Sequence, residues 1–316
     1  MAADTGKFIG VFQVTQADLK AKKDGAAFMS LKLRDKTGEV DAKLWTVPDG
    51  LTVKAGDFAK VEAETGTYKD ALQLKLLRVR VLDRAEVVVD DFIPASKRNR
   101  TEMLTQLYEL VDIISNADLR AVLQTIIGDN AQRLMNAPAA RKIHQAYLGG
   151  LLEHILNVSA LARAVCHVYP DLDRDVLLAG LIVHDIGKLD ELTYTDCIGT
   201  SRPGMLMGHI IQGSILWDRY THPVTYTCPL DPATVDHVAH IIASHHGIKE
   251  WGAAVVPATR EAQVAHLLDM IDSRLSIIGE ALASQPLDTD GFTGKVYALD
   301  TALWTGGRDE ATDSGQ

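Results

Sequence analysis

The side chains in this sequence with the most chemistry to offer are histidines. Eleven are present, and several stand in unusual settings: Leu-Glu-His154, Val-His184-Asp185-Ile-Gly-Lys188, Gly-His209 and Ser-His245-His246-Gly, with Asp269 following. Imidazole and carboxylate together are borderline ligands, which suit Mn, Fe, Co, Ni or Zn better than an all-oxygen magnesium cage. In an adjacent His-Asp pair the Asp can bridge two ions while the His binds one of them. A second ion needs further nitrogen ligands, which His209 and the His245-His246 pair could provide. Two ions about 3.5–4 Å apart would share a hydroxide, generate a nucleophile at neutral pH and stabilise the attacking and leaving oxygens of a phosphoryl centre. A lone histidine on an apolar helix is more often a hydrogen-bonded core residue than a ligand. The ordered set H, HD, H, HH, D shifts that balance, because seven residues of ligand-forming types would rarely fall in this order by chance.

The elements that must position these residues change character along the chain. Residues 1–90 alternate with the period of half-buried strands, at 9–14, 27–33, 40–45, 58–63 and 72–82. Turn sequences separate them: Lys23-Asp24-Gly25, Asp35-Lys36-Thr37-Gly38 and Pro48-Asp49-Gly50. Five strands of this kind predict a small barrel, since closure removes exposed edges. Residues 91–100 break the alternation with Pro94 and a run of charges, as a linker would. Residues 101–305 then follow a helical period, with Leu104, Leu107, Tyr108, Val111 and Ile114 in one stripe and Leu148, Leu151, Leu152 and Ile155 in another. A buried helix is expected from Asp173 to His184, with Gly187 as its C-terminal stop. The polar tail at 306–316 is expected to be disordered. The predicted fold is thus a five-stranded β-barrel followed by an all-α domain.

Composition narrows the setting. The 316 residues carry a net charge of -10, yet residues 1–90 are near neutral, with 15 basic against 14 acidic side chains. The acidic excess therefore lies in the helical part, where a solvated surface accounts for most of it and bound divalent cations are compatible with it. Cys166, Cys197 and Cys228 are widely spaced and form no C-x-x-C pair, so neither a disulfide framework nor a zinc-thiolate site is suggested. No signal peptide or run of about 20 apolar residues is visible, so the expectation is a cytoplasmic protein with no membrane partner.

The helical part resembles the HD superfamily of metal phosphohydrolases. More narrowly, nearly the whole chain resembles the family of YhaM-type 3′-to-5′ exoribonucleases. The matching segments are Tyr147-Leu-Gly-Gly-Leu-Leu-Glu-His154, residues 177–188 with HDIGK, Gly208-His209, Ile242-Ala-Ser-His245-His246-Gly-Ile-Lys-Glu-Trp251-Gly252, and His266-Leu-Leu-Asp269-Met-Ile-Asp272; Phe292-Thr293 and Ala298-Leu299 add to them. The resemblance implies an HD-type domain over 101–305 in which His154, His184, Asp185 and Asp269 hold one divalent ion. Bridging Asp185 with His209, His245 and His246 would hold a second. Manganese is the expected metal, with Co, Fe, Ni or Zn as alternatives. Asp185 and Lys188 would be catalytic, Lys188 touching a phosphate oxygen as a point charge. Its plainer reading is a helix-terminal lysine paired with the dipole. His144, His266 and Asp272 would line or support the site; on residue type alone His144 fits a surface or core role equally well, and Asp272 fits orienting a ligand or Arg274.

The segment from Gly25 to Trp45 resembles the strand 2 to strand 3 region of an OB-fold, a barrel that binds single strands by combining backbone-tracking cations with aromatic platforms. Phe28, Lys32, Arg34, Lys43, Trp45 and Tyr68 are the candidate contacts, although Phe28 or Trp45 could equally be barrel core. Joined, the parts imply an exonuclease that takes single-stranded RNA, or single-stranded DNA, from its 3′ end and releases nucleoside 5′-monophosphates, acting as a homo-oligomer. Two alternatives share these residues: an HD phosphohydrolase of nucleotides or cyclic dinucleotides, and a single-strand-binding regulatory protein with a structural HD domain. The intact ligand set argues against the last.

Overall fold

The computed structural model describes residues 6–22, 25–68, 71–87, 91–141, 145–194, 198–222 and 230–306. Lys23 and Asp24 of the first turn, His144, Cys197, Cys228 and the tail beyond Gly306 lie outside the described residues. The chain divides into two compact units, Met1–Ala95 with Tyr194–Ile198, and Ser96–Thr193 with Gly199–Gln316.

In the first unit the alternating segments form β1 (Lys7–Ala21), β2 (Ala27–Asp35), β3 (Gly38–Leu44), β4 (Phe58–Tyr68) and β5 (Ala71–Leu82). They close into a barrel in the order β1-β2-β3-β5-β4. Every pairing is antiparallel except β3 with β5, where Lys43 stands opposite Lys75. Five strands closed in this order make an OB-like barrel. β1 runs well past the expected residue 14 because it serves two neighbours, pairing with β4 from Lys7 to Gln13 and with β2 from Gln13 to Ala21. A register shift between Val14 and Gln16 breaks the alternation there and bends the strand. Val14, Met29, Leu31, Leu33, Ala42, Leu44, Val61 and Leu74 fill the interior. The residues between them, including Phe28, Lys32, Arg34 and Lys43, face outward.

The second unit is built from α1 (Arg100–Asp112), α2 (Ala117–Asn136), α3 (Gly150–Val168), α4 (Arg174–Val183), α5 (Lys188–Glu191), α6 (Arg202–Thr221), α7 (Pro232–Ser244) and α8 (Arg260–Ser284). Short polar side chains start most of them: Asn99, Asn116, Asp173, Ser201, Asp231 and Thr259 each accept a backbone N–H of the first turn. α4 is apolar all round and every residue from Val176 to Val183 is buried, so it forms the centre against which α3, α7 and α8 pack. No helix among the described residues is long and apolar enough to cross a membrane.

Gly187 is not the left-handed stop expected after α4. It has φ -64° and opens α5. Its missing side chain serves a close approach instead, since a Cβ there would lie 2.0 Å from the backbone oxygen of His209. That contact seats the α4–α5 turn against α6. Within α6, Gly208 adopts φ 70° and ψ 168°, breaking the helix one residue before His209; only glycine takes such a conformation readily.

Candidate metal centre

Five segments of the helical unit deliver the predicted residues to one buried place. α3 supplies His154, the end of α4 supplies His184 and Asp185, the restart of α6 after Gly208 supplies His209, and the end of α7 supplies His245 and His246. α8 adds Asp269 and, one turn on, Asp272. His184, His245, His154 and Asp185 are at most 2% exposed.

Asp185 stands at the middle, with its two oxygens facing different partners. Oδ2 lies 3.3 Å from His184 Nε2 and 3.7 Å from His154 Nε2. Oδ1 lies 3.5 Å from His209 Nε2 and 3.6 Å from His245 Nε2. Around them, ligand atoms of His154, His184 and Asp269 converge within 4.8 Å of one another, as do those of His209, His245 and His246. The structure therefore brings all seven predicted ligand residues together.

Each ring is held by its other nitrogen. His184 Nδ1 donates to the Leu181 carbonyl, His245 Nδ1 to that of Ile242 and His246 Nδ1 to that of Trp251, each at 2.8 Å. His154 Nδ1 donates to Asp272 Oδ2 at 2.7 Å, and His209 Nδ1 pairs with Glu191 Oε2 at 3.0 Å. A carbonyl only accepts, so in His184, His245 and His246 a proton sits on Nδ1 and Nε2 is the atom turned inward. Carboxylates and carbonyls in this role fix ring orientation and raise ligand basicity. What the inward atoms face is other acceptors. His209 Nε2, His245 Nε2 and Asp185 Oδ1 are buried without a hydrogen-bond partner, a costly arrangement that a cation relieves.

Electrostatics point the same way. Burial pushes the His245 imidazole well below its ordinary value, so it stays neutral with its lone pair free. Burial also opposes ionisation of Asp185, but Lys188 and His184 outweigh it and hold the carboxyl well below the usual range. His154 shifts the other way from His245: burial lowers it, yet Asp269 and Asp272 together raise it to about 9, so a proton on the ring supplies positive charge there. The cluster is of the kind that holds a divalent metal ion.

Lys188 opens α5, and its Nζ lies 2.6 Å from Asp185 Oδ2, so its charge is paired with the central carboxylate and not with a helix C-terminus. A cavity of about 400 Å³ opens onto Asp185, Lys188, His209, His246 and Asp269, with Arg141 and Thr200 also on its walls. His266 supports from behind, its Nδ1 donating to the His245 carbonyl at 2.8 Å. Asp272 accepts from His154, Asn157 and Gln145, and so orients a ring. His237 and His240 are engaged away from the cluster, with Thr259 and the Ala258 N–H.

On the barrel, Phe28 and Trp45 are not core. Their rings stack with centroids 5.0 Å apart, and Trp45 remains 44% exposed. Lys43 Nζ lies 5.9 Å from the Phe28 ring and 2.5 Å from Ser30 Oγ. Lys32 and Arg34 share that outer face, but both reach Glu39 at 3.3 Å. Tyr68 ends β4, 60% exposed.

Four residues beside the cluster escaped sequence reasoning: Glu191, Asn157, Gln145 and Arg141. None belongs to a metal-ligand motif. Glu191 of α5 and His209 of α6 pair at 3.0 Å beside the close backbone approach at Gly187.

The family model described as HD domain matches residues 151–274. The chain is 31% identical over 280 residues to the 3′-5′ exoribonuclease YhaM of Bacillus velezensis, covering 88% of this chain and 87% of that one. It is 29% identical over 304 residues to the 3′-5′ exoribonuclease YhaM of Bacillus subtilis, covering 95% of each. Among solved structures, the second OB-fold domain of replication protein A from Methanococcus maripaludis aligns with 25% of this chain and 86% of its own, at 24% identity and a TM-score of 0.22.

Proposed function

The chain belongs to the family of YhaM 3′-5′ exoribonucleases, and from that premise we propose that it hydrolyses single-stranded RNA from the 3′ end, releasing nucleoside 5′-monophosphates. The observation that carries the reading is the set of five imidazoles tied through Nδ1, four of which bring Nε2 within 3.7 Å of an oxygen of Asp185 while His246 converges with His209 and His245. His154, His184, Asp269 and Asp185 Oδ2 would hold one divalent ion; His209, His245, His246 and Asp185 Oδ1 would hold another. The unpartnered inward atoms fit that occupancy, and the borderline donor set suits Mn, Fe, Co, Ni or Zn better than magnesium; manganese is the ion proposed, on the family resemblance. Ions seated there would supply a nucleophile at neutral pH and neutralise charge on the phosphoryl oxygens.

The protein's own groups do the rest. Asp185 ties the two ligand sets to one carboxylate. Lys188 brings a positive charge within 2.6 Å of Asp185, beside the cavity, where it stabilises charge developing on the phosphoryl group. The buried Nδ1 tethers hold the rings so that little reorganisation accompanies reaction. On the barrel, the Phe28–Trp45 pair with Lys43 offers a stacking surface beside a cation, the combination that holds single strands.

The test is digestion of 5′-labelled RNA with Mn²⁺, using free and blocked 3′ ends and an Asp185→Ala control. Stepwise shortening from free 3′ ends only, lost in Asp185→Ala, is the expected result. Turnover of nucleotides or cyclic dinucleotides with RNA left intact would replace this reading with that of a small-molecule phosphohydrolase.

A further inference from the structure

A polynucleotide brings more than one phosphate to this site, and the cations there are not equally free to meet them. Lys188 is committed to Asp185. Arg141 also lines the cavity, is exposed, and forms no hydrogen bond or ion pair with any described residue.

The segment that carries Arg141 is anchored to the metal centre. Ala139 N–H donates to the Gln145 carbonyl at 3.2 Å. Gln145 in turn gives its N–H to Glu280 at 3.0 Å and its side-chain amide to Asp272, also at 3.0 Å. Gln145 is 3% exposed and has φ 52°, a left-handed conformation that a non-glycine residue keeps only when its surroundings hold it there. The carboxylate that orients His154 thus also anchors the segment bearing the free guanidinium.

Depth separates the two cations. The Lys188 side chain is 14% exposed beside the nearly inaccessible Asp185, whereas Arg141 is open to solvent. A cavity of about 400 Å³ is at the small end for ligand pockets. It suits a terminal nucleotide and leaves the preceding phosphate at the rim. Building on the exonuclease reading, we infer that Arg141 grips the phosphate one nucleotide upstream of the scissile bond and so selects polynucleotide ends over isolated diesters. A planar guanidinium fork suits a phosphate with two free oxygens.

Dinucleotides separate the two phosphates. UpU carries only the scissile phosphate; pUpU adds the upstream one. With Mn²⁺ present, Arg141→Ala should raise KM for pUpU about tenfold, leave its kcat near that of the parent protein and leave UpU unaffected. Arg141→Lys should keep part of the pUpU preference, as a point charge in place of a fork. Equal losses on both substrates, or no change on either, would overturn the inference, provided the variants melt with the parent protein. If the parent protein leaves RNA and both dinucleotides intact, the exonuclease reading falls and takes this inference with it.

Discussion

Asp272 accepts the Nδ1 proton of His154 through one oxygen at 2.7 Å and an amide proton of Asn157 through the other at 2.9 Å. It therefore holds a ring while having no inward face of its own. Asp272→Ala should weaken metal affinity by about 10–100-fold, and raised Mn²⁺ should recover much of the lost turnover. A manganese titration of activity distinguishes this from direct ligation by Asp272. Loss that no Mn²⁺ concentration restores would count against an orienting role.

Filling the centre should stabilise the fold, because inward lone pairs that now face one another gain a shared partner. Each Mn²⁺ held at a hundred times its Kd should add about 2.7 kcal/mol, or roughly 5–10 °C in Tm per ion for a domain of this size. Differential scanning fluorimetry with chelator and with Mn²⁺ reads the shift. Asp185→Ala should abolish most of it, since both ligand sets share that carboxylate.

Gly187 and Gly279 offer a paired test of packing. A methyl at 187 would meet the His209 backbone at 2.0 Å, whereas one at 279, at an exposed position of α8, meets nothing within 4 Å. Gly187→Ala should cost about 1–3 kcal/mol by overpacking and lower activity by displacing His209. Gly279→Ala should be neutral or stabilising by up to about 1 kcal/mol. Chemical denaturation of both variants checks the contrast; a silent Gly187→Ala would show that the close approach is relaxed in solution.

On the barrel, Glu39 neutralises two candidate phosphate contacts. Its bond from Thr15, with Lys32 and Arg34, outweighs burial and holds its carboxyl below the usual range, so it is charged at neutral pH. Glu39→Gln should tighten binding of single-stranded RNA and steepen its salt dependence. Trp45→Ala should weaken binding by about 1–3 kcal/mol with the salt slope unchanged, as loss of a stacking face would. Binding isotherms at several salt concentrations resolve the two signatures.

The candidate ligand residues were legible in the sequence because each sits in its own short motif, and the barrel because its strands alternate. What holds the ligands was not legible. Backbone carbonyls of Leu181, Ile242 and Trp251 leave no mark on residue type, and Glu191 reaches His209 across a contact between elements. β1 was read short since its register shift after Val14 interrupts the alternation that reveals strands. Gly187 was read as a helix stop because a glycine chosen for space and one chosen for conformation look alike in sequence.

Three of the five ring tethers end on main-chain oxygens, and no point mutation can delete a carbonyl. His184, His245 and His246 are thus protected from the loss of a partner, whereas His154 and His209 depend on Asp272 and Glu191, which a single base change can remove. Each ligand set contains one such vulnerable ring. Under the proposed two-ion occupancy, genetic drift could retune either ion's affinity separately, through a residue that touches no ion, while the rest of the centre stayed written into the course of the backbone.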